Sequence, residues 1–356
     1  MTAHPANRCG ECHNIPFNNW SGSGHARAAR SPLYVAMRSR SDAAACDACH
    51  TPLALKVDPL DPVAGESVTC EVCHAIADVS EHASRTSITY SIEDNIKRGP
   101  LCGGKDNYFH KMGCSPLHRE SLLCAGCHKW SMPLSAGGEL PIFTAYDEWK
   151  ASTYEATSIP CQDCHMPKTV DEVAAGWGEK KTIAHHGFMG EADDLRRRAL
   201  SMAVRVEDRA GKLHAAIELS NVAAGHMVPT GLPGRQIVLS LRVLDRAGRV
   251  VEHASRAFGR VLVDEGGAEV PFYAARREAS DNRIAPGEKR LESFSFDVKG
   301  EGEIQVELLW RRVSPAVAAV LKLPVEEQKL VEARVPFGAL RGSARAHLPR
   351  TVAVKP

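Results

Sequence analysis

Five times along the chain two cysteines stand three positions apart with a histidine directly after them. The copies are Cys9-Gly-Glu-Cys12-His13, Cys46-Asp-Ala-Cys49-His50, Cys70-Glu-Val-Cys73-His74, Cys124-Ala-Gly-Cys127-His128 and Cys161-Gln-Asp-Cys164-His165. No other feature restricts the fold as much, because Cys-x-x-Cys-His reads as a c-type haem attachment site. Two thiols add across the vinyl groups of one porphyrin, and the two-residue spacer lets both sulfurs reach one edge of the ring. The adjacent histidine then lies under the iron and supplies a nitrogen. The opposite coordination position decides whether that iron carries electrons or binds a substrate. A zinc ribbon needs two cysteine pairs per metal, and five is an odd number of pairs. A thioredoxin-like centre needs one pair in a βαβ setting. Neither requires a histidine after every pair, so five covalent haem c groups are the expectation.

Length and charge set further bounds. The chain has 356 residues, enough for two or three domains, and a formal net charge of +1 that gives no reason to expect a nucleic-acid partner. Propionates would make the loaded protein acidic, by about five to ten charges if all ionise. No apolar run approaches the roughly 20 residues of a membrane span. Met1-Thr-Ala-His4 leads almost directly into the first motif, with no apolar signal segment. C-type haem is attached outside the cytoplasm, so a periplasmic or extracellular protein is expected, its export signal absent from this chain. Of the 12 cysteines, Cys102 and Cys114 lie outside the motifs and flank a Gly103–Asn107 loop. An oxidising compartment favours a disulfide between them over two free thiols.

The two halves follow different physics. Residues 1–195 hold every cysteine, pattern poorly, and read as short helices and loops: a mainly α and irregular pentahaem domain. One helix is expected from Ser31-Pro32, with Leu33, Ala36 and Met37 on one face. Another is expected from Thr144 to Tyr154, with Tyr146, Trp149 and Tyr154 sharing a side. Peptide alone would bury too little here, so this half should be disordered without haem. Residues 196–350 alternate strictly instead. Leu213, Ala215, Ile217 and Leu219 form one inward face; Ile237, Leu239, Leu241 and Val243 a second. Phe294, Phe296 and Val298 form a third, and Ile304, Val306, Leu308 and Trp310 a fourth. Turns are expected at Asp208–Gly211, Asp245–Gly248 and Asp264–Gly267, and a short helix from Ser314-Pro315 through Leu321. The pattern is that of an all-β sandwich of immunoglobulin-like type, with residues 351–356 as a tail.

Three stretches of the first half carry a family resemblance. They are Cys9-x-x-Cys-His13 followed by Trp20-Ser-Gly-Ser-Gly-His25, then Ser115-Pro-Leu-His118 leading to Cys124-Ala-Gly-Cys-His128. The third is Tyr146-Asp-Glu-Trp149-Lys-Ala-Ser152-Thr-Tyr154 leading to Cys161–His165. This half resembles the cytochrome c554-type multihaem cytochromes. The second half looks like the β-domain often fused to them, through Asn221–Gly231, Asp281–Glu288 and Trp310–Pro315. The resemblance implies electron transfer through closely packed haems, mostly with two histidines on each iron. Cys102 and Cys114 fall outside the pattern it would lead one to expect.

Five bis-histidine irons need five distal histidines, and eleven remain outside the motifs. His25 matches the family's distal position, between glycines that let backbone approach a flat ring. His118 precedes Cys124 by six residues, with His110 as its competitor. His185 and His186 are adjacent, so one ligates, His186 being preferred. His82 stands evenly between ligand and solvated surface, and His4 is an alternate at a terminus that frays. His226, between Gly225 and Pro229, is read as a ligand in preference to a turn histidine; it would bolt the two halves together. Met112, Met166, Met189 and Met227 are read as packing, and Trp20, Trp130, Trp149 and Trp177 as neighbours of the porphyrins.

The favoured function is electron transfer between redox-partner proteins, a membrane-bound or multi-subunit complex among them, with self-association also open. The competing reading is a haem enzyme with one open iron reducing nitrite, hydroxylamine or a peroxide, with acid–base groups drawn from His110, Lys111, Arg119 or Tyr108. A third makes the β-domain a module for polymer or mineral.

Overall fold

The computed structural model describes residues 3–189, 193–338 and 346–347. The chain divides into two compact units, Met1–Glu191 and Ala192–Pro356. The tail expected at 351–356 lies outside the described residues.

In the first unit the motifs sit on short helices. Ala43–His50, Cys70–His74, Ser121–His128 and Cys161–His165 each end on a motif histidine, and Ala6–Gly10 runs into motif one. A helical turn puts positions i, i+3 and i+4 on one side, so both sulfurs and the imidazole of a motif share a face. The helix expected at Ser31-Pro32 is present as Pro32–Arg38, with Leu33, Tyr34 and Met37 buried. The helix expected from Thr144 to Tyr154 is two pieces, Ala145–Lys150 and Thr153–Ala156. Ser152 divides them: its hydroxyl donates to the Trp149 carbonyl and accepts the Tyr154 N–H, starting a new turn.

Small two-stranded ribbons, which the helix-and-loop reading did not anticipate, fill the intervals. β1 (Ile76–Glu81) pairs with β2 (Thr86–Tyr90) antiparallel. β3 (Ile96–Gly99) pairs with β4 (Lys111–Cys114) in parallel. β5 (Trp130–Pro133) and β6 (Glu139–Phe143), then β7 (Lys168–Glu172) and β8 (Lys180–Ala184), form two more antiparallel ribbons. These are too short for clear alternation. The apolar cluster here is small: Leu53, Val63, Val72, Ala75 and Ile92. The Cys102–Cys114 disulfide is formed.

The second unit is built on peptide alone. Its strands are β9 (Leu200–Arg209), β10 (Lys212–Asn221), β11 (Gln236–Asp245) and β12 (Val250–Val263). They continue with β13 (Arg277–Asp281), β14 (Lys289–Phe296), β15 (Gly302–Arg311), β16 (Glu327–Phe337) and β17 (Ala346–His347). One sheet has the order β14-β10-β9-β17 and the other β13-β12-β11-β15-β16. All pairings in both are antiparallel. Inner residues of both, such as Ile217, Leu219, Leu239, Leu241, Val306 and Leu308, belong to one apolar cluster. Each such side chain contributes about 1.5–3 kcal/mol by leaving water. Phe294, Val298 and Trp310 pack against that cluster while only partly buried. The turn after β9 is a two-residue loop with Ala210 at φ 53° and Gly211 at φ 77°. Both central residues left-handed is the turn whose twist matches a hairpin. Ser314 caps the helix Pro315–Leu321 through the Val317 N–H.

Among the described residues no helix is long and apolar enough to cross a membrane.

Candidate haem-iron ligand sites

A neutral imidazole binds metal through one nitrogen and donates through the other, so its hydrogen bond decides which nitrogen faces the metal. His13 Nδ1 donates to the Val173 carbonyl at 2.6 Å, His50 Nδ1 to Ala28 at 2.9 Å, and His74 Nδ1 to Arg98 at 2.5 Å. Each bond leaves Nε2 as the metal-facing atom, as a proximal ligand requires. The ten motif cysteines form no disulfides. Among the described residues no group of three or more His, Cys, Asp or Glu gathers as a metal-binding cluster.

Two imidazoles sharing one metal, each nitrogen about 2 Å from it, hold their ring centroids about 6 Å apart. Three motif histidines face a second histidine at that spacing. His13 and His110 are 6.2 Å apart, His128 and His25 6.4 Å, and His74 and His186 6.2 Å. His110 Nδ1 donates to the Lys111 carbonyl at 3.2 Å and His186 Nδ1 to Ala184 at 2.8 Å, so both offer Nε2. The His25 ring stands edge-on to Phe188 at 4.2 Å, with its Nδ1 buried and unpartnered. Such an orphan costs free energy unless something else takes its lone pair, which fits a ring beside a metal. Burial first, then the neighbouring His165 and His50, hold the His25 pKa down to about 4. Burial first, then His74, does the same for His186, also to about 4. Both rings are neutral at pH 7, the form a metal needs.

His118 also approaches a motif histidine, its ring 5.6 Å from His74. Its Nε2, however, donates to the Cys73 carbonyl at 3.0 Å, and its buried Nδ1 is unpartnered. In the adjacent pair, His185 accepts the Gly187 N–H on Nδ1, which places its proton on Nε2. A β-carbon at position 187 would lie 2.6 Å from the His185 ring, so glycine is needed there. The orientation favours His186 over His185 as a ligand. His82 is exposed at the end of the β1–β2 ribbon, its Nε2 at 3.1 Å from the Ser87 hydroxyl. His4 lies beside Glu71, whose carboxylate accepts the His4 backbone N–H. His226 belongs to the second unit, where its Nδ1 donates to the Met227 carbonyl at 3.0 Å and the His226 carbonyl accepts from Asn221 Nδ2. His50 stacks on Tyr34 at 4.3 Å, whose hydroxyl donates to Asp47. Trp20 and Trp149 donate to the Val68 and Ile159 carbonyls, so each also ties backbone together, and Trp177 is exposed.

Cysteines of different motifs meet. Cys9 and Cys70, Cys49 and Cys127, and Cys124 and Cys161 are each within hydrogen-bond reach. Motif one thus adjoins motif three, and motif four adjoins both two and five. Between the first and third lies a buried ion pair: Lys97 Nζ is 2.6 Å from Glu71 Oε1, and the Glu71 side chain is wholly buried. Glu71 is the second residue of motif three.

Residues 8–75, which contain the first three motifs, match the family model of cytochrome c554 and c-prime. The fold is similar to the crystal structure of a penta-heme cytochrome c552 from Thermochromatium tepidum. The TM-score is 0.76, with 20% identity, over 94% of this chain and 99% of that one. A second structural match, to a beta-galactosidase-like chain from Bacteroides fragilis, has 12% identity and a TM-score of 0.20. It covers 40% of this chain and 16% of that one. No curated protein matches this chain.

Proposed function

We propose that this multihaem c-type cytochrome, of the cytochrome c554 kind over its first three motifs, carries electrons between redox-partner proteins through five covalently bound haems. The observation that carries the reading is the pairing of three motif histidines with second histidines at 6.2–6.4 Å. An iron held by two imidazoles exchanges electrons and has no open position. On this reading His110, His25 and His186 serve as distal ligands to the irons of motifs one, four and three. His82 ranks below these, exposed and with its Nε2 beside the Ser87 hydroxyl. His118 competes with His186 for the motif-three iron, because its Nε2 donates to the Cys73 carbonyl and leaves the buried Nδ1 as the metal-facing atom.

The cysteine contacts support an order in which motif four is central, next to two and five, with one and three forming a neighbouring pair. The chain's task is spacing, ligation and tuning of potential by burial and charge. Buried Glu71 and its partner Lys97 are placed to tune the one–three pair. Attachment of c-type haem places the protein outside the cytoplasm, periplasmic or extracellular. The second unit is read as an immunoglobulin-like sandwich, from its two antiparallel sheets and shared core. Its role is to dock a partner, a larger complex or another copy.

One observation keeps the enzyme reading specific. His50 stacks on a tyrosine, and among the described residues no histidine ring faces it at the spacing seen for the three pairs. If one iron is open, that of motif two is a candidate. His110, named among the acid–base groups of an enzyme, is occupied opposite His13 instead. The test is the mass and ferric spectrum of the purified holoprotein. Five added haems with low-spin iron throughout are the expected result. A high-spin signal that shifts with cyanide or nitrite and vanishes in a His50 variant would transfer the case to the enzyme.

A further inference from the structure

His110 occupies an unusual position. It sits just before β4, at the end of an irregular connection that joins two parallel strands, β3 and β4. Parallel neighbours are normally linked by a dozen or more residues packed as a helix, and an isolated pair of four-residue strands is weak. Residues 100–110 include no helix and are largely exposed, Tyr108 being 95% exposed. What holds the connection is polar and local. Asn107 Oδ1 accepts from the Phe109 and His110 N–H groups, Asp106 Oδ1 accepts from Met112, and Asn95 Nδ2 donates to the Phe109 carbonyl. Water competes with such bonds. Glycine at 113 lets the strands close, since a β-carbon there would lie 2.7 Å from Ile96.

The one covalent restraint is the disulfide from Cys102, within the connection, to Cys114 at the far end of β4. It closes the segment that contains His110. The same ribbon, through the Arg98 carbonyl on β3, orients His74.

We propose that the Cys102–Cys114 disulfide is a positioning clamp for His110, holding its imidazole opposite His13 on the motif-one iron. This rests on the reading of His110 as that iron's second ligand. A ligand on an exposed loop leaves the metal as often as the loop opens, and shortening the free segment raises its effective concentration. The disulfide thus acts on the iron through His110 and touches neither metal nor electron path.

Two arms separate this inference from the reading beneath it. In the ferric holoprotein, His110→Ala should convert one haem to high spin or to rapid imidazole binding. Cys102→Ala/Cys114→Ala, with His110 intact, should speed imidazole binding at that same haem by roughly tenfold or more. Adding His110→Ala to the cysteine variant should then change nothing further at other irons. Should the cysteine variant fail to assemble, a water-soluble phosphine can open the exposed disulfide in the assembled protein. It yields two thiols as the phosphine takes oxygen from water to become its oxide. Carbon monoxide uptake by the fully ferrous protein, opened against intact, then reads the same release. A disulfide of purely structural value would lower thermal stability and leave every iron low-spin and slow to exchange, which overturns the clamp. A His110→Ala variant with unchanged spectrum overturns the ligand assignment and the clamp together.

Discussion

Ile217 is fully buried and His74 partly so, in different kinds of interior. Ile217 lies among Leu219, Leu239, Val306 and other aliphatic side chains of two sheets. His74 lies among imidazoles, with His118 and His186 stacked near it and a backbone carbonyl fixing its tautomer. The second unit buries peptide against peptide, so a period of two written into its strands is enough to define the inside. The first unit brings together cysteines and histidines where the second has aliphatic side chains, and its own apolar cluster is small. Alternation has nothing to specify there, and the repeated pentapeptide does so instead.

That contrast is most severely tested by making the protein without haem attachment. The full-length chain should then lose protected backbone throughout residues 1–191 while the β9–β17 sheets remain protected, as read by hydrogen exchange. Equal protection in both units would break the comparison. A reverse test comes next in size. Leu239→Ala, which empties a fully buried position in β11, should cost the second unit about 3–5 kcal/mol in denaturant unfolding. The haem spectrum should not move. Smaller again is Glu71→Gln, which leaves Lys97 partly buried without its partner. It should destabilise the first unit by about 2–3 kcal/mol, less than a fully buried pair because Lys97 retains some water. Loss of a buried negative charge should also raise the potential of the nearest haems, seen in a spectropotentiometric titration. Lys97→Gln should lower it, and shifts of the same sign would remove the electrostatic account.

How far each unit could be read in advance follows the same division. The four inward faces of the β unit carry their own signal, down to Phe294 and Trp310 at the less buried margins. The turn at Ala210-Gly211 announces itself as Asp-Arg-Ala-Gly. In the first unit the attachment cysteines and motif histidines are legible because covalent chemistry demands a fixed spacing. Distal histidines are harder, since a ligand is defined by which nitrogen is turned where. In sequence His118 ranks ahead of His110 as a ligand, yet only their settings show which nitrogen each offers: His118 has Nε2 on the Cys73 carbonyl and His110 has Nδ1 on Lys111. The β3–β4 pairing that places His110 joins Ile-Lys-Arg-Gly to Lys-Met-Gly-Cys, neither of which alternates. The Cys102/Cys114 pair was the one available hint that this stretch has a fixed shape. Ser152 hid a helix break because a serine inside a helical pattern caps only when the backbone turns to meet it.

The smallest effect concerns Glu81, at the end of β1, where charge does within the first unit what apolar packing does in the second. Lys150 and then Lys129 hold its carboxyl down to about 2, against 4.5 for a free glutamate. Lys129 is 2.9 Å from Glu81 and 2.9 Å from Asp147, and follows His128 directly. A pKa depressed on folding contributes stability that is complete above about pH 4.5 and disappears as pH falls through about 2. Glu81 and Lys150 remain partly in water, so solvent screening limits the contribution to about 1 kcal/mol at neutral pH. Glu81→Gln should therefore lower stability by that amount at pH 7 and by nothing near pH 2. The quantity to measure is the difference between parent and variant at each pH, because acid also protonates ligand histidines in both proteins and that part cancels. A difference independent of pH would mean that Glu81 acts through shape and not through its charge.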